Sequence, residues 1–513
     1  MSSKKNSPRS TDSEQHFHTD HLKTDLKGRS VRGGAVTLFA QVCKFILQFG
    51  STAILARLLT PQDYGLIGMV TAVTGFVSMF KDMGLSMVTI QKADINHQIC
   101  STLFWVNVGF SIVTMLVTVA IAPAVALFYS EPRLTLITIV SAIGFIFGGF
   151  SVQHYALLNR QMRFTALAIV DIIAMTIAVT TAIGLAWYGV GYWALVIMQL
   201  TSAIAATIGV WLLCDWRPGL PTLPKGIGEM LAFGGNLTGF NIINYFARNL
   251  DNVLIGRFWG AGELGLYSKA YQLLLLPINQ INAPIGSVAL PALSRLIDSP
   301  DSYRKAYLRI VEKVALLTMP IVIFMIVTSD WLVLLLLGSQ WQDASRIFML
   351  LAIAGLIQPV ANSTGWLFIS QNRTQHLFQW GLIGGTISIV SFCAGLHWGA
   401  IGVAASYSLF WTYLCMPLLF WFVGRTGSVK TIDFHRVLAP FVPASLFTLL
   451  TLLAFRAYVE ISHPALGCLI AFVITMFTFV SILAVFPSGR MALADVKTLI
   501  VQRQMSSEYT NPK

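Results

Sequence analysis

The chain has 513 residues, 55% hydrophobic and 11% charged, with a formal net charge of +12. Soluble proteins average about 25% charged residues, so the polar surface that a soluble fold of this length needs is missing, and the positive balance must first be tested against membrane topology. The apolar residues come in continuous blocks of about 20, which fits membrane-crossing helices and excludes barrel strands that alternate over about 10 residues.

In chain order, residues 1–30 are polar and carry Lys4, Lys5, Arg9, Lys23, Lys27 and Arg29. They read as a disordered cytoplasmic tail with no cleavable signal peptide. His16, His18 and His21 belong to that tail and read as solvated residues rather than as a metal site. Fourteen apolar blocks follow, near 34–57, 64–80, 102–128, 134–157, 166–187, 191–213, 230–250, 265–290, 308–337, 346–370, 377–396, 400–423, 437–456 and 464–486. The ninth block is long and contains Asp330, so a bend or an early end is expected there. The chain thus reads as an all-α polytopic membrane protein. Its parts are a six-helix bundle at 31–213, a cytoplasmic linker at 214–229 and a second six-helix bundle at 230–423. An extra helix pair at 437–486 and a cytoplasmic tail at 487–513 complete it. The six cysteines form no C-x-x-C pair and most sit inside apolar blocks, which argues against a disulfide framework or zinc site. No metal or cofactor pattern is present in the sequence.

With both termini placed in the cytoplasm, most of the 34 Lys and Arg residues fall on the cytoplasmic side. Arg57, Arg133, Arg248, Arg257, Lys269, Arg346 and Arg456 fall at the outer side, and Lys44 falls inside a block. The positive charge is therefore a topology signal, and nucleic acid drops out as a partner. Lys305, Arg309 and Lys313, at helical spacing, read as an interfacial face touching membrane lipid heads.

The sequence repeats itself. I-L-A-R-L-L-T-P-Q-D-Y-G-L-I-G at 54–68 aligns with L-I-G-R-F-W-G-A-G-E-L-G-L-Y-S at 254–268, matching Arg57 to Arg257 and Gly65 to Gly265. L-N-R at 158–160 matches Q-N-R at 371–373. Equal sidedness of the copies makes this a parallel repeat about an axis along the membrane normal.

The first helix of each copy carries a polar stripe. One stripe holds Gln41, Lys44, Gln48, Ser51 and Thr52; the other holds Asn241, Asn244, Arg248, Asp251 and Asn252. Spacings of three, seven and ten residues keep each set on one helical face. A charge deep in the bilayer costs about 3 kcal/mol on insertion scales, so Lys44 needs a wet cavity or a partner. Polar glue between packed helices explains the asparagines equally well, but explains the cations less well. Lys44 and Arg248, with Lys81, Arg57 and Arg257, would make a cavity cationic and suited to an anion, phosphate above all. Pro277, Pro284 and Pro291 with Asn279, Gln280 and Asn282 suit either a kinked gate helix or ordinary membrane proline usage. Asp171 and Asp330 are candidates for a coupling proton or cation, although a membrane-edge position is favoured for both.

Together A-R-L-L-T-P-Q-D-Y-G-L at 56–66, F-K-D-M-G-L at 80–85, N-R-Q-M-R-F at 159–164, G-Y-W-A-L at 191–195, R-N-L-D-N-V-L-I-G-R at 248–257 and L-G-L-Y-S-K-A-Y at 264–271 resemble a known family. It is the polysaccharide transporter (Wzx-like) branch of the multidrug/oligosaccharidyl-lipid/polysaccharide flippase superfamily, especially its colanic-acid and teichuronic-acid exporter-like members. The resemblance spans roughly 28–425. It implies two six-helix bundles in a V around a central cavity, alternating access, and an undecaprenyl-diphosphate-linked oligosaccharide as cargo in the bacterial inner membrane. It also raises the polysaccharide polymerase and export machinery as partners. Related flippases are thought to use cavity arginines; here the first-helix position holds Lys44, a point charge in place of a planar fork. A drug or cation antiporter of the same fold is the alternative, and would favour cavity carboxylates. A membrane polymerase or ligase would show a large outer loop, and none is visible, so no enzymatic activity is expected.

Overall fold

The computed structural model describes residues 26–79, 84–91, 95–221 and 227–495, with side chains in 26–33, 227–244 and 246–248 and at positions 35 and 91 outside the description. The expected tail at 1–25, the end of the chain from 496, and Lys81 therefore lie outside the described residues. So do the side chains of Asn241, Asn244 and Arg248.

The described residues are helical throughout and divide into two compact units, Met1–Gly265 and Leu266–Lys513. The first unit begins with α1 (Leu26–Leu58), α2 (Pro61–Ser78) and the short α3 (Leu85–Gln91). Two long hairpins follow, α4 (His97–Tyr129) with α5 (Arg133–Arg160) and α6 (Phe164–Trp187) with α7 (Trp193–Leu213). Local chemistry sets the starts. Thr60 and Asp63 form a reciprocal capping box ahead of Pro61, with the Thr60 N–H donating to Asp63 Oδ2 at 2.9 Å. Asn96 Oδ1 accepts the Ile99 N–H at 2.9 Å and caps α4.

Packing between apolar helices in lipid gains little from hydrophobicity and depends on close backbone approach. Helix α6 shows the device. Ala166, Val170, Ala174, Ala178, Ala182 and Ala186 recur every fourth residue and are all buried, so one smooth ridge faces its neighbours α7 and α1. An aromatic core around Phe104, Leu157, Val170, Val210 and Trp216 fills one end of the unit. Leu55, Leu59, Ala182, Ala186 and Leu195 fill another part.

The helical run α8 (Ile227–Ser294) is broken at Gly260, whose φ of 82° is a left-handed value that glycine adopts at no steric cost. Its first limb joins the first unit, where the Tyr245 hydroxyl donates to the Thr71 and Ala72 carbonyls at 3.1 and 2.9 Å. The sequence repeat has a physical counterpart here. A Cβ on Gly65 would sit 1.7 Å from the Ala261 carbonyl oxygen, and a Cβ on Gly265 would sit 1.8 Å from that of Pro61. The alignment that matches Gly65 to Gly265 also matches Pro61 to Ala261. The contact is thus reciprocal between repeat-equivalent positions, as a local two-fold requires, and each needs a residue without a side chain.

The second unit contains α9 (Pro300–Val327), α10 (Ser329–Leu336), α11 (Ala344–Gly355), α12 (Gln358–Ser370), α13 (Thr374–Gly395) and α14 (Gly399–Phe410). A π-helical turn (Trp411–Cys415) leads into α15 (Met416–Gly424), followed by α16 (Thr431–Leu438), α17 (Phe441–Tyr458) and α18 (Pro464–Leu483). The expected early end of the ninth block occurs at Val327, with Thr328 at the junction to α10. Helices α11 and α12 meet at a 43° bend. There the Asn282 Nδ2 donates to the Pro359 carbonyl at 3.5 Å, so the polar, proline-containing part of α8 touches the bend. The final pair is not peripheral, because Phe441, Leu452, Ala471 and Phe479 share one core with Val311, Met319 and Ile323 of α9.

Among the described residues, ten helical runs are long and apolar enough to cross a membrane, or eleven if the bent pair is one span. The fourteen blocks of the sequence reading are finer than this count, for identifiable reasons. Block 64–80 corresponds to α2, which is not among the ten, and block 230–250 falls mostly on side chains outside the description. Blocks 377–396 and 400–423 lie in one 51-residue run that a 3-10 turn and Gly399, at φ 70°, interrupt. About 20 residues suffice for one crossing.

Candidate functional site

Position 44 lies inside a run of apolar residues, so its ammonium must find a counter-charge or water. Helix α1 packs along α6, and the Lys44 Nζ donates to Asp171 Oδ2 at 2.9 Å. Asp171 lies seven residues beyond the start of α6 at Phe164, about 10 Å along the axis. It lies within the candidate span Phe164–Trp187, about two turns from its first residue. Its other oxygen, Oδ1, accepts the Tyr155 hydroxyl of α5 at 3.0 Å. Three helices thus contribute one group each to a cation–carboxylate–phenol triad. The Lys44 and Asp171 side chains remain 33% and 35% exposed, open enough for a ligand to reach either.

Tyr155 was not singled out from sequence, yet a signal existed. The turn at 161–163 joins α5 to α6 as antiparallel neighbours, so residues at similar distances from it face each other, and Tyr155 and Asp171 satisfy that.

The other candidates are placed as follows. Gln41 and Gln48 are exposed on the same face of α1 as Lys44, and Thr52 is buried. Asp251 is buried, and its Oδ1 accepts the Asn252 N–H at 2.8 Å. Asn252 Oδ1 is buried with no partner among the described residues. Arg257 lies over the Phe128 ring at 5.7 Å and reaches Ser130 Oγ at 3.4 Å, which ties the segment 254–268 to the end of α4. Arg57 is exposed. Among the described residues, then, the structure brings Lys44 and Asp171 together and leaves Arg57 and Arg257 apart from them.

Asp330 has a different setting. Arg456 of α17 meets it with both guanidinium nitrogens, at 2.7 and 2.6 Å, donates to the Val327 carbonyl at 2.6 Å and lies 4.4 Å over the Trp331 ring. Arg304 of α9 pairs with Asp433 of α16. Asp330 is occupied as a clamp that fixes α17 to the start of α10.

A region described as "Polysaccharide biosynthesis protein" matches residues 54–346, more than half of the chain, and the chain belongs to that family. It is similar to the teichuronic acid biosynthesis protein TuaB of Bacillus subtilis (strain 168), 25% identical over 407 residues, covering 77% of this chain and 81% of that protein. It is 24% identical over 387 residues to the lipopolysaccharide biosynthesis protein WzxC of Escherichia coli (strain K12), covering 75% and 79%. It is also 24% identical over 392 residues to the succinoglycan biosynthesis transport protein ExoT of Rhizobium meliloti (strain 1021), covering 76% and 78%. Among solved structures, the inward closed lipid II flippase MurJ aligns with a TM-score of 0.72 at 13% identity, over 89% of this chain and 98% of that one. An inward-facing multidrug resistance MATE family transporter of the MOP superfamily aligns at 0.60 and 13% identity, over 74% and 93%. The fold is therefore that of these two transporters, and the chain is a multi-pass membrane protein of the polysaccharide biosynthesis family.

Proposed function

We propose that this protein is a flippase that carries an undecaprenyl-diphosphate-linked oligosaccharide repeat unit across the bacterial inner membrane by alternating access, for cell-surface polysaccharide synthesis. In this reading fourteen helices form two six-helix bundles and a C-terminal pair, with both termini in the cytoplasm. The observation that carries the reading is a cation one-third exposed inside a membrane helix, Lys44, in a chain whose family and relatives are named for polysaccharide biosynthesis and transport. An ammonium at that depth is costly, and an anionic headgroup is the cargo that would justify it. Lys44 supplies the first phosphate contact and Arg248 its counterpart in the second repeat. Gln41, Gln48, Asn241, Asn244 and Asn252 are hydrogen-bonding groups for sugar or phosphate oxygens. The membrane potential helps an anion outward by about 2.3 kcal/mol per charge per 100 mV. The protein transports and does not catalyse. The antiporter reading is weaker because the polar stripe of α1 is basic rather than acidic.

The test is a deletion strain. It should accumulate the lipid-linked oligosaccharide on the inner leaflet and lose the surface polymer, and the wild-type gene should restore both. Accumulation of no lipid-linked intermediate, with polymer unchanged, would overturn the proposal.

A further inference from the structure

The triad is built in a way that simple anion binding does not require. A cation meant only to attract phosphate would be better left without a carboxylate at 2.9 Å. Asp171 occupies the place on Lys44 that a phosphate oxygen would take. Tyr155 holds the second carboxylate oxygen at 3.0 Å and so aims Oδ2 at the ammonium.

We infer that Asp171 is a built-in competitor for the cargo anion: the diphosphate displaces it from Lys44, and the released carboxylate takes up a proton from water. The inference rests on the flippase reading above. In the empty carrier, Lys44 and Asp171 neutralise each other. On loading, one ammonium–carboxylate contact breaks and one ammonium–phosphate contact forms. The carboxylate is then left inside the membrane without a cation, and an unpaired charge there is costly. Among the described side chains of the helices packed on α6, no other cation is placed to take over. Asp171 is the one charged residue of α6, and α7 has no charged residue at all. The other titratable groups on α5 are His154 and the end residues Arg133 and Arg160. His154 is buried and stacked on Trp211, and Arg160 donates to the Thr89 carbonyl. Among the described side chains of α1, Cys43 adjoins Lys44 and Arg57 lies at the far end. The proton replaces Lys44 at the carboxylate, and Tyr155 remains its hydrogen-bond partner. Cargo release reverses both exchanges and returns the proton. Loading and proton uptake are thereby coupled through one carboxylate, and an unloaded carrier turns over with no bare charge at this site.

The experiment uses the full chain in nanodiscs, with a polyprenyl diphosphate as ligand and the matching uncharged polyprenol as control. Calorimetry in two buffers of different ionisation enthalpy counts the protons taken up, at a pH where the ligand itself stays fully ionised. The wild type should take up about one proton per diphosphate bound and none with the polyprenol. Asp171→Asn should bind the diphosphate about tenfold more tightly, because the competitor is gone, with no linked proton. Lys44→Gln with Asp171→Asn, which keeps the site neutral and so protects folding, should bind weakly with no linked proton. Unchanged proton uptake in Asp171→Asn, or wild-type binding without any uptake, would overturn the exchange while leaving the flippase reading standing. Absence of diphosphate binding to a folded wild type would overturn both.

Discussion

Asp171 and Asp330 are both carboxylates in or beside membrane helices, both are paired with a cation, and both pairs are about one-third exposed. What separates them is the number of restraints. Arg456 makes two parallel bonds to Asp330, a third to the Val327 carbonyl and a stack on Trp331. Lys44 makes a single bond to Asp171 at 2.9 Å. Asp330 also sits in the first turn of α10, where the helix dipole favours a negative charge, whereas Asp171 is well inside α6 and has no such support. Exposure alone would have graded the pairs as equals. Geometry distinguishes a joint that fixes two helices from a contact that one competing anion can replace.

The largest expected effect comes from deleting each cation in turn. Lys44→Ala should lower export of the lipid-linked oligosaccharide by about two orders of magnitude, the scale of losing one partner of a charge pair, at normal membrane levels. Arg456→Ala should leave export per folded molecule within about twofold. It should instead cost about 1–2 kcal/mol of stability, with solvent screening holding the loss at the low end, read as a lower melting temperature in detergent. If Arg456→Ala stops export at normal stability while Lys44→Ala does not, the roles assigned to the two pairs are reversed.

Exchanging the cation types gives a smaller and more diagnostic effect. Arginine offers a planar fork and lysine a point charge. Lys44→Arg would give Asp171 a second bond, so the cargo must displace more, and export should slow about three- to tenfold. Arg456→Lys should lose the fork and the stack, lowering stability by less than Arg456→Ala does while export stays normal. Faster export from Lys44→Arg would show that the wild-type contact is not an obstacle the cargo must remove.

How far the sequence could lead depended on the kind of information needed. Block length and charge sidedness are local properties of the chain, so the all-helical membrane architecture was readable from composition and spacing. Gly65 and Gly265 stood out because they align in sequence, and each has a physical reason to lack a side chain: a backbone oxygen occupies the place of its missing Cβ. Lys44 was readable as a costly charge. Its partner was not, because the residues are 127 apart in sequence, and nothing local marks Asp171 as internal rather than peripheral. Asp330 shows the same limit, since its clamp comes from Arg456, 126 residues away. Periodicity assigns a residue to a face of its own helix but does not say which neighbour that face meets.

The smallest effect concerns the third member of the triad. Tyr155→Phe keeps the ring and its packing and removes one hydrogen bond to Asp171, a change of about 1 kcal/mol. That bond aims the carboxylate at Lys44. Without it, Asp171 competes less well for the ammonium, so the polyprenyl diphosphate should bind about two- to fivefold more tightly, with proton uptake retained because the carboxyl group is still present. This separates Tyr155→Phe from Asp171→Asn, in which uptake disappears. The opposite sign has its own meaning. Should Tyr155→Phe weaken diphosphate binding, the phenol would be a ligand of the cargo itself, and the carboxylate would have to be oriented by its pairing with Lys44 alone. Binding isotherms of the two variants side by side, in the same nanodiscs and at the same pH, decide between these arrangements.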